Sequence, residues 1–232
     1  MEGLSRFYCN DNFSEELELS GEILNHIRVM RLNVGDFIVL QNEKLIAKYK
    51  ISEMKKRSVL LSKVEERKCS QPGYQLVCFI CLLKREYMDN SIEKMAEVGV
   101  TEIIPVISER SLQKIDTQTL LRYQKKAITG SLQAENTFIT QVKETILLRD
   151  IQTDMKEKII FYERAEQKYP EISCQKVAFF VGPEGGITFN ELNILKSKGF
   201  KTFSPFKSIL KAETASVVFA GLLRSEIEKL LL

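Results

Sequence analysis

The 232-residue chain lacks the residues and patterns that mark several common protein classes. It has one histidine and five cysteines, and an odd number of scattered cysteines predicts a reducing compartment without a disulfide framework. No apolar run is long enough to span a bilayer, and no apolar leader follows Met1, so we expect no membrane association and no signal peptide. The composition, 44% hydrophobic and 28% charged, is typical of a soluble globular protein, and the cysteines indicate a cytoplasmic one.

The scarcity of histidine and cysteine also argues against a bound metal. Cys78 and Cys81 form a CxxC pair, but a zinc site needs four ligands and the single histidine is His26. Because the pair lies within the apolar stretch QLVCFICLL, we expect two buried residues of a core strand.

Charge of either sign is nearly balanced, with a net charge of +3. Such a balance permits nucleic-acid binding through a local patch but does not require it.

Two regions of different pattern meet at the Pro-Gly turn in QPGY, which begins at Gln71. Before it, DFIVLQ, KLIAKYKI and SVLLSKV predict strands, and SGEILNHIRVMR predicts one amphipathic helix capped by Ser20. We therefore predict a small β-barrel domain over residues 1–71.

After the turn, apolar strands alternate with helical patterns, which predicts an α/β domain over residues 72–232. This alternation indicates a mostly parallel sheet with helices on both faces. We expect helices to begin near Asp89, near Thr117 and near Thr188, where Glu191 completes a capping-box spacing, and a last helix to run from Glu213.

A glycine-rich loop, VGPEGGIT, follows the apolar strand VAFF and precedes a predicted helix. Loops at the carboxyl end of strands in open α/β sheets bind ligands, and glycine lets the backbone approach a ligand closely. The P-loop lysine, the GxGxxG pattern and a central nucleophile are all absent. Glu184 occupies the centre and would repel a phosphate, so a neutral or cationic ligand suits the loop better. Alternatively, the loop is a tight turn whose Glu184 faces solvent or caps the next helix.

A second segment, SILKAETAS, follows about 25 residues later and leads into the last helix. Its Glu213 carboxylate lies at the helix start, where the positive end of the dipole favours an acidic side chain.

Together, VGPEGGIT and ILKAETA resemble the signature of the RsmE family of ribosomal RNA uridine N3-methyltransferases, of the SPOUT class. Upstream, KREYMDNSIEKMAEVGVTEIIPVISERS and HIRVMRLNVGD are similar to further family segments, so the resemblance covers most of the chain in order. It implies a C-terminal α/β domain with a deep trefoil knot that binds S-adenosylmethionine, and a PUA-like RNA-binding barrel at the N-terminus. It also implies a homodimer formed through the knot region, and 16S ribosomal RNA or the small ribosomal subunit as partner.

The resemblance and the chemistry of the implied reaction together give candidate residues for three roles. Those implied for the cofactor are Tyr162, Glu163, Val181, Gly182, Pro183, Glu184, Gly185, Gly186, Ile209, Leu210 and Thr214. Those expected to remove the N3 proton or to stabilise the uracil anion are Glu213, Arg110 and Lys211. Those expected to contact RNA are Arg6, His26, Arg28, Arg31, Lys84, Lys94 and Gln133.

The chain departs from the family pattern on the RNA side. Pro205 and Phe206 replace a Leu-Gly pair, and arginines are expected at Ser208, at Lys211 and at Asn136. A lysine lacks the bidentate geometry of an arginine, so Lys211 would be a weaker phosphate clamp. Two alternatives therefore stay open: a knotted RNA-binding protein with lost or altered methyltransferase activity, and an enzyme that methylates a different RNA nucleoside.

Overall fold

A computed structural model describes residues 1–167 and 169–232 as two compact units. The first unit contains Met1–Gln71 and Glu135–Phe138, and the second contains Pro72–Ala134 and Ile139–Leu232. Among the described residues, no helix combines the length and the apolar character needed to cross a membrane.

The first unit is built from short strands with apolar side chains at alternate or consecutive positions. Its elements are β1 (Arg6–Tyr8), β2 (Glu16–Leu19), α1 (Glu22–Val29), β3 (Phe37–Gln41), β4 (Leu45–Met54) and β5 (Val59–Lys68). The strands pair in the order β1-β3-β4-β5-β2, with β1 and β3 parallel and the other neighbours antiparallel. Leu24 and Ile27 of α1 pack into the apolar core of this sheet, which includes the fully buried Tyr49. The predicted strands and helix are confirmed. Hydrogen bonds join the five strands in one row, with β1 and β2 as its two ends.

A separate four-residue segment, Glu135–Phe138, completes the first unit. The Gln41 side chain donates from Nε2 to the Asn136 carbonyl oxygen at 3.1 Å. The Ser70 hydroxyl donates to Thr137 Oγ1 at 2.9 Å. These contacts join residues up to 95 positions apart, so no local sequence pattern indicates them.

The second unit alternates strands with helices, as predicted. Its elements are β6 (Gln75–Cys81), α2 (Arg85–Val98), β7 (Glu102–Ile107), α3 (Thr117–Gln133), β8 (Gln141–Val142), β9 (Ile146–Leu147), β10 (Glu157–Phe161), β11 (Lys176–Val181), α4 (Phe189–Ser197), β12 (Lys201–Phe203) and α5 (Ala212–Lys229). The sheet order is β12-β10-β11-β6-β7-β8, β9 also pairs with β7, and every pair is parallel.

Apolar cores cover both faces of this sheet, which confirms the prediction of a parallel sheet with helices on either side. Because side chains alternate along a strand, Cys78 of β6 packs with α2, α3 and α5, whereas Cys81 packs with α4. Both cysteines are buried core residues, as predicted.

Two predicted helix caps are wrong. Helix α1 begins after Gly21, whose φ of 66° favours glycine, and Ser20 provides no cap. Helix α2 begins after Lys84, so Asp89 lies within the helix, where its Oδ1 accepts a 3.0 Å bond from Nε of Arg122. The sequence pattern around Asp89 predicts a helix cap, but the residue instead forms an ion pair between α2 and α3.

The helix starts at Thr117 and Thr188 are confirmed. Asp116 caps α3 by accepting from the Thr119 N–H at 2.7 Å. At α4, Thr188 and Glu191 form both bonds of the capping box.

Two helical glycines differ in the space around them, which predicts opposite effects of the same substitution. At Gly130 in α3, an added Cβ would lie 2.1 Å from the carbonyl oxygen of Glu93 and 3.0 Å from Cβ of Ala96. At Gly221 in α5, no atom lies within 4 Å of that position. We expect Gly130→Ala to lower the free energy of unfolding by about 1–3 kcal/mol through overpacking.

The matched variant Gly221→Ala should raise the free energy of unfolding by about 0.5–1 kcal/mol, because alanine is the better helix former. Urea unfolding of the full chain measures both. A stabilised Gly130→Ala variant would contradict the close approach of α2 and α3.

Candidate functional site

A cavity of about 550 Å³ opens at the carboxyl ends of β10 and β11. Three segments surround it: the residues that follow β10, the glycine loop that follows β11, and the segment that leads into α5. The volume is within the range of small-molecule sites, and the location is where open parallel sheets bind ligands.

Nearly all residues predicted to contact a cofactor line this cavity. They are Tyr162, Glu163, Val181, Gly182, Pro183, Glu184, Gly185, Gly186, Ile209 and Leu210. Thr214 is the exception, because it is exposed on α5 and is not among the described lining residues. Its role therefore stays a prediction, and its neighbours Glu213 and Ala215 both line the cavity.

The glycine loop makes a tight turn in which the Gly186 N–H donates to the Pro183 carbonyl oxygen at 2.9 Å. Gly186 has a φ of 67°, in the region that favours glycine. A Cβ on Gly185 would lie 3.3 Å from Cβ of Arg110, so a side chain there would crowd the neighbouring segment. Glycine is thus required here by backbone conformation and by packing.

The Glu184 carboxylate lies at the start of α2, not at the start of α4, the helix that follows the loop. Its Oε1 accepts from the backbone N–H of Lys84, the residue that precedes α2, at 3.2 Å. Of the predicted alternatives, a cap on the next helix is wrong, because Glu191 fills that role in α4. Glu184 satisfies an N–H that the helix itself leaves without a partner.

Two of the candidate catalytic residues, Lys211 and Glu213, line the cavity at the start of α5. Lys211 is exposed, and Glu213 is half-buried in the first helical turn. The Glu213 carboxylate therefore lies beside the positive end of the helix dipole.

The third candidate, Arg110, lies against the glycine loop. It is not one of the residues found to line the cavity in the described part of the chain. It is exposed, and its Nη1 donates to the carbonyl oxygen of Gly185 at 3.1 Å. A guanidinium has five N–H donors, so this bond leaves others available to a substrate.

The charges in the cavity wall favour a cationic ligand. Three carboxylates, those of Glu163, Glu184 and Glu213, line it together with one ammonium group, that of Lys211. A cation bound there is attracted by the excess of negative charge, whereas a phosphate is repelled.

Aromatic and small side chains that sequence reasoning missed form the apolar part of the wall. Phe161 stacks on Phe219 with ring centroids 3.5 Å apart, and Ala212 and Ala215 lie beside Phe219 on α5. Ala212, Ala215 and Phe219 are three and four residues apart, a spacing that places them on one face of α5 and that could be read from the sequence. Tyr87 of α2 also lines the cavity, and no local pattern indicates it.

In the first unit, Arg28 and Arg31 are exposed basic residues at the end of α1. The Arg28 Nη2 donates to the carbonyl oxygens of Lys55 and Lys56 at 2.9 and 2.8 Å, which orients its guanidinium. His26 is exposed on the same helix, with its ring centroid 6.4 Å from that of Phe7.

Arg6 does not fit the expected role of a phosphate contact. Its side chain is only 3% exposed, and Nη2 donates to Oε2 of Glu135 at 3.1 Å. Because the partner carboxylate neutralises it, this guanidinium stabilises the first unit.

The other predicted RNA contacts lie on α2 and α3. The Lys84 side chain is exposed at the start of α2, Lys94 pairs with Glu97 on the same helix, and Gln133 is exposed at the end of α3. None of the three is among the described lining residues of the cavity.

Neither a metal-ligand cluster nor a reactive thiol adds to this site. The described residues contain no group of three or more histidine, cysteine, aspartate or glutamate side chains that could hold a metal ion. Burial raises the pKa of the Cys81 thiol to about 12, so it stays protonated at neutral pH.

Comparison with known proteins identifies the family. An RNA methyltransferase domain profile matches residues 70–224, and an RNA methyltransferase PUA domain profile matches residues 19–64. Ribosomal RNA small subunit methyltransferase E of Aquifex aeolicus is 27% identical over 94% of this chain and 97% of its own length. This chain belongs to the RsmE family of RNA methyltransferases.

Solved structures of similar fold support the same assignment. The Neisseria gonorrhoeae ribosomal RNA small subunit methyltransferase E, bound to S-adenosylmethionine, superposes with a TM-score of 0.86 at 25% identity. A Legionella pneumophila structure, also holding S-adenosylmethionine, gives a TM-score of 0.85 at 25% identity. Each alignment covers 96% of this chain and 97% of the other. The N-terminal unit of this RsmE member is accordingly PUA-like.

The ion pair between the buried Arg6 and the partly exposed Glu135 predicts a loss of stability when its cation is removed. Arg6→Ala leaves the Glu135 carboxylate without its charged partner, and we expect the free energy of unfolding to fall by about 1.5–3 kcal/mol. The exposed Arg57 supplies the control, because Arg57→Ala should change it by less than about 0.5 kcal/mol. Chemical denaturation measures both, and equal effects would contradict a structural role for Arg6.

Proposed function

We propose that this protein uses S-adenosylmethionine to methylate N3 of a uridine in 16S ribosomal RNA. The observation that carries the proposal is the cavity, whose wall is built by the same loops that the family signature supplies. Membership of the RsmE family and the S-adenosylmethionine bound in two similar structures support it.

The cavity has the chemistry that a sulfonium cofactor needs. Its excess of carboxylates suits a positive charge, and the glycine loop offers backbone groups to the neutral edges of adenine. Leu210, half-buried in the wall, supplies apolar contact, whereas Ile209 lines the mouth and is 81% exposed. When bound, S-adenosylmethionine supplies an electrophilic methyl group on a cationic sulfur.

Three residues of this chain would then act on the uracil. A carboxylate, for which we propose Glu213, accepts the N3 proton, and the N–H groups of Arg110 or the ammonium of Lys211 stabilise the resulting anion. Holding the base in line with the methyl group contributes further, because orientation alone lowers such barriers by several kcal/mol.

The remaining elements of the proposal concern the RNA and the assembly. We propose that the PUA-like unit contacts RNA phosphates through Arg28 and Arg31, with His26 beside them, and that Lys84, Lys94 and Gln133 contact the same RNA. A target uridine must be exposed or flipped for its N3 to be reached. We also propose a SPOUT-type trefoil knot, a homodimer formed through it, and a cytoplasmic location, where ribosomal RNA is found.

Binding of S-adenosylmethionine tests the cofactor assignment directly. Titration calorimetry should detect binding to the wild type, and Leu210→Ala should weaken it about 5- to 10-fold through lost apolar contact. Ser225→Ala, at an exposed position further along α5, should change the affinity less than about 2-fold. Absence of binding to the wild type would overturn the proposal and favour a non-catalytic RNA-binding protein.

The substrate is tested by mapping modified uridines in 16S ribosomal RNA from cells that lack the gene. The proposal predicts the loss of one N3-methyluridine and its return when the gene is restored. An unchanged pattern alongside measurable cofactor binding would indicate a different RNA nucleoside.

A further inference from the structure

Glu191 is a buried carboxylate with two backbone partners. Only 4% of the residue is exposed, and no lysine or arginine forms an ion pair with it in the part of the chain that the structure describes. Its Oε2 accepts from the Thr188 N–H at 2.9 Å, and its Oε1 accepts from the Glu109 N–H at 2.8 Å. The first bond belongs to the capping box of α4, but the second is not needed to cap a helix.

The two N–H groups belong to different loops. Thr188 is the last residue of the glycine loop after β11, whereas Glu109 lies in the loop after β7 and is adjacent to Arg110. Two further bonds join the same loops: the Thr188 hydroxyl donates to Oε1 of Glu109 at 3.3 Å, and Arg110 donates to the Gly185 carbonyl oxygen. The bonds to Glu191 are partly buried, whereas the other two are exposed. Bonds to a charged acceptor are also the stronger kind.

We infer that Glu191 is a positioning residue for methyl transfer, which holds the Arg110 loop against the glycine loop. The inference rests on the proposed function, because it assigns Arg110 to the substrate and the glycine loop to the cofactor. A shift of one loop against the other would move the Arg110 guanidinium relative to the methyl group while leaving the cofactor cavity intact. Misplacement of about 1 Å can cost about 100-fold in rate.

Glu191→Asp separates the two bonds of the carboxylate. The shorter side chain keeps the charge and the capping bond to Thr188, but it cannot also reach the Glu109 N–H. We expect kcat to fall about 10- to 100-fold, while the Kd of S-adenosylmethionine stays within about 2-fold. Glu191→Gln is a second variant, which keeps the length but turns an NH2 group toward one of the two donors.

Asp89→Asn is the matched control. Asp89 is partly buried and pairs with Arg122 between α2 and α3. Like Glu191→Gln, the variant replaces a carboxylate by an amide. It should lower the stability without changing kcat measured below the unfolding transition.

A double-mutant cycle with Arg110→Ala decides whether Glu191 acts through Arg110. If it does, Glu191→Asp should reduce kcat little further in the Arg110→Ala background, because coupled residues are not additive. Three results would overturn the inference. The losses in kcat could multiply in the double variant, or a folded Glu191→Asp variant could keep the wild-type kcat. The affinity for S-adenosylmethionine could also fall as much as kcat does. A wild type that neither binds S-adenosylmethionine nor methylates RNA would instead refute the proposed function itself.

Discussion

Parallel pairing of β10, β11 and β6 is the constraint on which the candidate site depends. Ile160 lies opposite Phe180, and Phe180 lies opposite Phe79, so the three strands end at the same edge of the sheet. The loops that follow β10 and β11 consequently emerge side by side, although 20 residues separate Ile160 from Phe180. Helix α5 packs on one face of these strands and brings its first turn to the same edge. Without this register, the glycine loop would be an ordinary turn.

Three carboxylates near the site lie at backbone N–H groups or at the start of a helix rather than in ion pairs between described residues. Glu184 accepts from the N–H before α2, Glu191 accepts from two loop N–H groups, and Glu213 lies in the first turn of α5. Backbone N–H groups are thus the hydrogen-bond partners of the first two carboxylates. The arrangement leaves the cavity wall with the net negative charge that a sulfonium ligand favours.

Much of the α/β unit could be predicted because its strands are apolar and its helices amphipathic. The two-residue strands β8 and β9 could not, since two residues carry no periodicity. The roles of charged residues were the least predictable. Arg6 was expected to face RNA, but its partner Glu135 lies 129 residues away and is recognised only in three dimensions. Asp89 was expected to cap a helix for the same reason, because Arg122 is 33 residues away.

The sequence by itself determined the family, the longer strands and helices, and the loops that carry the site, because these depend on local composition and on motifs of adjacent residues. The tertiary structure alone decided which side chains meet. It added Tyr87 and Phe219 to the cavity wall and turned Glu184 toward α2. It also joined Glu191 to Glu109, 82 residues earlier. The physical reason is that hydrogen bonds and packing depend on distance in space, which chain separation does not encode.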